Sequence, residues 1–277
     1  MVEREETPLN RKAALCVLFM VAFNFTPLHC QLVSAEHSNA ELPSIQRIAP
    51  PPGAASAEDL ERRGDELRMQ KEYAYAIDYY RAALAKKPGG AELCNKIGAS
   101  ELLAQRLTAA QNAFEKALKL DGRYAAAYNN LGVVEYMRKN YGKAAKRYEK
   151  AITLQPEIAS YYSNLGAAYF SKKDWSKSME AYSRAIAIDP GVFDTHSRIG
   201  VNGKVSSPED RARFSFALAK LYAKNGLPDR SLEYLRRAME EGYKGIGEVY
   251  KDSEFAALRK DPRFTELMAS PPFSLPE

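Results

Sequence analysis

The stretch YNNLGVVEYMRKN at 128–140 returns as YSNLGAAYFSKKD at 162–174, thirty-four residues later, with Asn-Leu-Gly in the same place. A repeat of that length is long enough for two helices and too short for a separate core, so each copy must bury its apolar face against the next. Blocks beginning at Ala57, Ala91, Ala125 and Ala159 put Gly64, Gly98, Gly132 and Gly166 in one column and Ala83, Ala117, Ala151 and Ala185 in another. Ala76, Ala110, Ala144 and Ser178 form a third, small column. Tyr80, Phe114, Tyr148 and Tyr182 follow it four residues on. Pro88, Pro156 and Pro190 recur near the block ends, with Gly122 standing in once.

Each block divides into two apolar helical patterns separated by polar text such as MRKNY, so each predicts a helical hairpin. Glycine in the first helix and alanine in the second predict a close approach of the two axes. The aromatic residue is expected to fill space between hairpins, and proline ends the second helix.

These columns resemble the tetratricopeptide repeat, whose pattern is aromatic, Leu-Gly, then Ala, aromatic and Pro at a period of thirty-four. The third and fourth copies match best. The first has Arg63 in place of Leu, and the second has Cys94 and Ile97 in place of the aromatic and Leu. The resemblance implies an all-α, right-handed superhelical solenoid of helix-turn-helix hairpins. It divides the chain into repeats at 57–90, 91–124, 125–158 and 159–192.

An insertion over 193–211 precedes a divergent fifth unit at 212–245, which keeps Ala219, Tyr222, Ser231 and Ala238 at the expected spacings. Ser207-Pro-Glu-Asp has the cap, first-turn proline and acidic first turn of a helix start. Asn202-Gly203 marks a turn, read as a small hairpin or a plain loop. The end, 246–277, is expected to form a short helical cap anchored by Phe255, Leu258, Phe264 and Leu267.

The N-terminus has another character. Arg11 and Lys12 precede a mostly apolar run from Ala13 to Phe25, and the run is followed by small residues ending in Val33-Ser-Ala35. That order is a secretory signal over 1–35, with cleavage after Ala35. The alternative is an anchor retained through 13–25, although a span needs about 20 apolar residues. His29 before Cys30 argues against a lipoprotein site. The Pro/Ala-rich 36–56 reads as an extended linker.

Cleavage would leave Cys94 as the one cysteine and no intramolecular disulfide. The chain is therefore expected to be exported, periplasmic or secreted, with membrane association only through an uncleaved N-terminal segment.

Catalytic chemistry has little to stand on. His37 lies in the linker and His196 in the insertion with Asp194 nearby, but no nucleophile has a recognisable setting. Cys94 fills a column for a large apolar side chain, and the glycines 242, 245 and 247 follow a helix rather than a strand. Glu58, Asp59 and Glu61 suit a helix start. We expect no enzyme activity, no cofactor and no metal. The net charge of +5 over 277 residues reads as a mild, scattered excess, so nucleic acid is not an expected partner.

The resemblance implies a concave groove, lined by the first helices, that takes a peptide or helix of another protein. Carried over, the groove residues are Asn95, Ala99 and Leu102, then Asn129, Asn130, Val133 and Tyr136, then Ser163, Asn164, Ala167 and Phe170. The asparagines either grip a peptide backbone or join neighbouring hairpins, and Tyr136 and Phe170 either anchor a partner or pack between repeats.

Glu61 and Asp65 at the first groove positions oppose an anionic chaperone tail. The expected function is a non-enzymatic scaffold or adaptor in cell-envelope assembly. Its alternatives are an accessory or catalytic site within 193–277, and single-stranded nucleic-acid binding by the helical repeats.

Overall fold

Residues separated by one period meet equivalent neighbours, and the helices follow that rule. The computed structural model describes residues 48–194 and 207–269. Four hairpins come first: α1 (Ala57–Met69) with α2 (Tyr73–Lys86), α3 (Ala91–Leu103) with α4 (Leu107–Leu120), α5 (Ala125–Met137) with α6 (Tyr141–Leu154), and α7 (Ala159–Ser171) with α8 (Trp175–Ile188). A fifth is built from α9 (Pro208–Lys224) and α10 (Pro228–Glu240). Three short 3-10 turns and α11 (Pro262–Ala269) follow. The described residues contain no strand, and each helix packs on the next, which makes an all-α solenoid.

The 1–35 segment read as a signal, the linker up to Arg47 with His37, residues 195–206 with His196 and Asn202-Gly203, and 270–277 lie outside the described residues. The last part of the linker is docked rather than free. Ala49 O accepts from the Tyr79 hydroxyl at 3.1 Å, and Gly53 O accepts from Lys86 Nζ at 2.8 Å. Ser56 then caps α1 by accepting from Asp59 N.

The repeat glycines make room for rings. A Cβ on Gly132 would stand 2.4 Å from the Tyr148 ring, and the same closeness holds for Gly64 with Tyr80, Gly98 with Phe114 and Gly166 with Tyr182. Each ring therefore lies inside its own hairpin, seated on the glycine, where the sequence reading had placed it between hairpins. The physical reason is volume: a glycine face is a socket wide enough for a whole ring. Ala83, Ala117, Ala151 and Ala185 are fully buried beside it.

The turn joining the two helices of a hairpin uses a left-handed residue at one fixed place. It is Lys71 (φ 66°), Gln105 (62°), Lys139 (64°) and Lys173 (60°) in the first four hairpins and Gly226 (70°) in the fifth.

In the fifth hairpin Ala219 stands at the glycine place and Leu235 at the ring place, both fully buried. Ser231 Oγ donates to Ala219 O at 2.7 Å, as Ser178 Oγ donates to Gly166 O at 2.9 Å. Helix α9 begins at Pro208, and Ser207 Oγ accepts from Asp210 N. Tyr222 stacks on Tyr234 with centroids 5.3 Å apart. Their hydroxyls donate to Pro190 O and Phe193 O, tying the hairpin to the chain leaving α8.

The α8–α9 junction is thinner than the earlier ones, and a cleft of about 1000 Å³ opens there between Leu165, Ala181 and Leu221. Beyond α10, Phe255, Leu258, Phe264 and Leu267 are all buried. Lys220 pairs with Asp252 at 2.8 Å and pins this end to α9.

Candidate interaction surface

Asparagine side chains on the first helices find one another. Asn130 Nδ2 donates to Asn95 Oδ1 at 2.9 Å, Asn129 Nδ2 to Asn130 Oδ1 at 3.2 Å, and Asn164 Nδ2 to Asn129 Oδ1 at 2.9 Å. The result is an amide ladder across α3, α5 and α7. A polar group removed from water needs such partners, and linked amides polarise one another. Asn129 and Asn164 are buried, whereas Asn95 and Asn130 stay half-buried and face water in part.

The apolar groove residues are mostly consumed by packing. Leu102, Val133, Tyr136, Ala167 and Phe170 are all under 9% exposed. Tyr136 meets Ser171 through a 2.9 Å hydroxyl contact and lies 5.2 Å from the Tyr141 ring. Phe170 packs edge-on against Trp175 at 4.9 Å and Phe214 at 5.8 Å. Ser163 is buried and its hydroxyl donates to Ser160 O, while Ala99 is half-buried. Successive first helices stand close enough that these side chains fill the seam.

What reaches the surface instead is the last residue of each of the first three of these helices. Met69 is 73% exposed, and Leu103 and Met137 are half-buried at the same spacing. The repeat spacing could have flagged this row. The family pattern makes no demand there, so nothing in the sequence distinguished it from a fraying end.

Acidic groups gather at the start of the same face. Lys96 Nζ lies 2.6 Å from Glu61 and 2.8 Å from Asp65, and Asp65 also accepts from the Tyr80 hydroxyl at 2.7 Å. Burial opposes the charge on Asp65, but the hydrogen bonds from Lys96 and Tyr80 outweigh it and hold the carboxyl below its usual range. Burial likewise opposes the Lys96 ammonium, and the two carboxylates still raise it to about 12. The Tyr80 phenol, desolvated and donating to Asp65, is pushed up to about 12. The first groove positions thus carry two carboxylates neutralised in part by one shared lysine.

Glu101, Cys94, Asp194 and Asp59 serve the structure itself. Glu101, 3% exposed, is held by Arg106 Nε at 2.7 Å and Arg81 at 3.3 Å. Sequence reasoning missed it, because a glutamate three residues after the repeat glycine gives no sign in the text that it is buried. Cys94 is buried, and desolvation pushes its thiol up, away from thiolate reactivity. Asp194 is engaged by both terminal nitrogens of the Arg230 guanidinium. Asp59 is tied to Ser56 and Arg62 at the start of α1. Among the described residues no group of three His, Cys, Asp or Glu side chains could hold a metal ion, and no helix is long and apolar enough to cross a membrane.

A family profile described as the tetratricopeptide repeat matches residues 159–192, and a second, described as TPR repeat, matches 134–173. No curated protein is significantly similar in sequence. Among solved structures the chain is similar to a crystal structure of MamA, with 26% identity and a TM-score of 0.45 over 64% of this chain and 93% of that one. It is also similar to MamA from Desulfovibrio magneticus RS-1, residues 41 to the end, at 19% identity and 0.47 over 70% and 97%. A third is TTC0263, described as a thermophilic TPR protein in Thermus thermophilus, at 19% and 0.47 over 78% and 100%. Alignments at such scores say nothing about what this chain binds.

Proposed function

We propose that this chain, a tetratricopeptide-repeat protein and hence a protein-interaction scaffold, works outside the cytosol as a non-enzymatic adaptor that holds a segment of a partner protein along its first helices. The observation that carries this reading is the row of accessible groups on the first helices of the first three hairpins. Asn95 and Asn130 supply amides, and Met69, Leu103 and Met137 supply apolar contacts. An asparagine that has made its ladder bonds still has donor and acceptor capacity left for a peptide backbone. Methionine adapts to irregular apolar partners. Export is supported by the order of basic, apolar and small residues in 1–35.

A photo-crosslinking residue at Met69, at Met137 or, as a control, at the exposed Lys119 of α4 tests the surface. The expected outcome is discrete protein adducts from the first two positions and none from the third, in the extracytoplasmic fraction. Equal yields from all three positions would remove the first-helix face as the working surface, and adducts confined to the cytosol would remove the envelope role.

A further inference from the structure

The net positive charge of the chain is concentrated in one place, against the scattered excess expected from composition. Between Arg138 and Lys150 the text RKNYGKAAKRYEK holds six cations and one carboxylate, an excess of five that equals the net +5 of all 277 residues. Lys143, Lys146, Arg147 and Lys150 follow the i, i+3, i+4, i+7 rule of a single helix face, and all four are exposed. Ala144, Ala145, Tyr148 and Ala151 face the core on the other side of α6. Among the described residues none of the four has an ion-pair partner. The nearby carboxylate, Glu149, accepts from the Tyr169 hydroxyl at 2.6 Å, and the Lys172 and Lys177 ammoniums lie 5.6 and 5.4 Å from the centre of that ring.

The repeat supplies an internal control. The four equivalent places hold no cation on α2, one on α4 (Lys116) and two on α8 (Lys177 and Arg184). Packing of a hairpin therefore does not call for positive charge there. Like charges four residues apart, as in Lys143 with Arg147 and Lys146 with Lys150, oppose the helix that carries them. A stripe that weakens its own helix and meets no partner among the described residues points to an anion outside the molecule.

The chemistry of the stripe selects among anions. Three of its four cations are lysines, hydrated point charges suited to diffuse attraction rather than to clamping one phosphate. No exposed ring interleaves them, since Tyr148 is fully buried and Tyr141 leans on Tyr136, so bases would find no stacking platform. The outer face of a single helix does not enclose a peptide. The choice of a bilayer also rests on the reading of the apolar run from Ala13 to Phe25 as a segment that takes the chain to a membrane or through one.

We propose that the outer face of α6 is a docking surface for the anionic headgroups of a lipid bilayer, with Lys143, Lys146, Arg147 and Lys150 as its contacts. Such a face acts as a second attachment signal beside an apolar or partner-borne one.

The test uses the full chain and sedimentation with phosphatidylcholine vesicles that do or do not contain phosphatidylglycerol. Wild type should bind the anionic vesicles more strongly and lose that difference in high salt. In the variant Lys146→Glu, Arg147→Glu the stripe becomes neutral and gains opposite-charge pairs with Lys143 and Lys150. It should melt no lower than wild type while its anionic-vesicle affinity falls about 600-fold, at about fivefold for each of the four charges cancelled. Should that variant fail to fold, Lys143→Gln, Lys150→Gln is measured in its place, with a loss of about 25-fold expected.

Equal binding of wild type to both vesicle types, or a variant that prefers anionic vesicles as strongly as wild type does, would overturn the proposal. Release of wild type from vesicles by DNA at equal phosphate concentration would also overturn it and make the face a nucleic-acid surface. The apolar run is common to all samples and cannot produce a difference between variants.

Discussion

In the four hairpins from Ala57 to Ile188 a glycine lies under an aromatic ring, whereas in the hairpin of α9 and α10 the two equivalent places hold Ala219 and Leu235, both fully buried. The two arrangements fill one space differently. The fifth adds a methyl to the first helix and takes a ring from the second, and it keeps the serine bond to the backbone carbonyl that the fourth hairpin makes. A repeat can therefore keep its geometry by conserving the summed volume of a pair rather than either residue. Single residue identities are what a pattern reads, so the fifth unit departs from it while folding alike. The family profiles match within 134–192, leaving out the fifth unit but also the first two hairpins, which keep the glycine and ring.

The comparison breaks most severely at Gly132→Leu. With 2.4 Å between a Cβ there and the Tyr148 ring, overpacking should cost about 3 kcal/mol in denaturant unfolding. An unchanged midpoint would mean that the ring does not sit on that glycine.

A transplant sharpens the idea. Gly166→Ala alone should lose about 2 kcal/mol, and Tyr182→Leu should lose stability too. The double variant, which copies the fifth unit's pair, should lose at least about 1 kcal/mol less than the sum. Additive losses would sink the volume argument.

The smallest effects separate two rings that share one socket design. The Tyr80 hydroxyl donates to Asp65, while the Tyr148 hydroxyl finds no partner among the described residues. Tyr80→Phe should therefore cost about 1 kcal/mol, and Tyr148→Phe should be neutral or slightly stabilising. The reverse order in thermal melting would contradict this assignment of partners.

The fold was largely legible because its period is imposed by packing, and packing leaves its mark on residue size. Glycine, alanine and ring columns recur because the space they fill recurs. The interaction surface was not legible to the same degree. Periodicity tells which residues share a face, but not whether the neighbouring helix already covers that face. Tyr136 and Phe170 read as anchors until the seam between first helices proved narrow enough to bury both.

The asparagines left two readings open because their pairing depends on an offset of thirty-five, not thirty-four. Asn130 reaches back to Asn95 while Asn129 receives Asn164, and a column drawn at the exact period joins neither pair. The charge stripe was visible in the text, but averaging over the chain dissolved it. It took the exposure of one side of α6 to show that four cations share a surface.

The left-handed turns carry one more consequence. Lys71, Gln105, Lys139 and Lys173 occupy a backbone region that L side chains enter only at a cost of about 1 kcal/mol, and the fifth hairpin uses Gly226 at the same place. Because a hairpin in a solenoid touches only its neighbours, these four positions act as independent trim settings on the array. Each can be tightened by a glycine without altering any buried contact, so rigidity can be graded along the molecule while its surfaces stay the same.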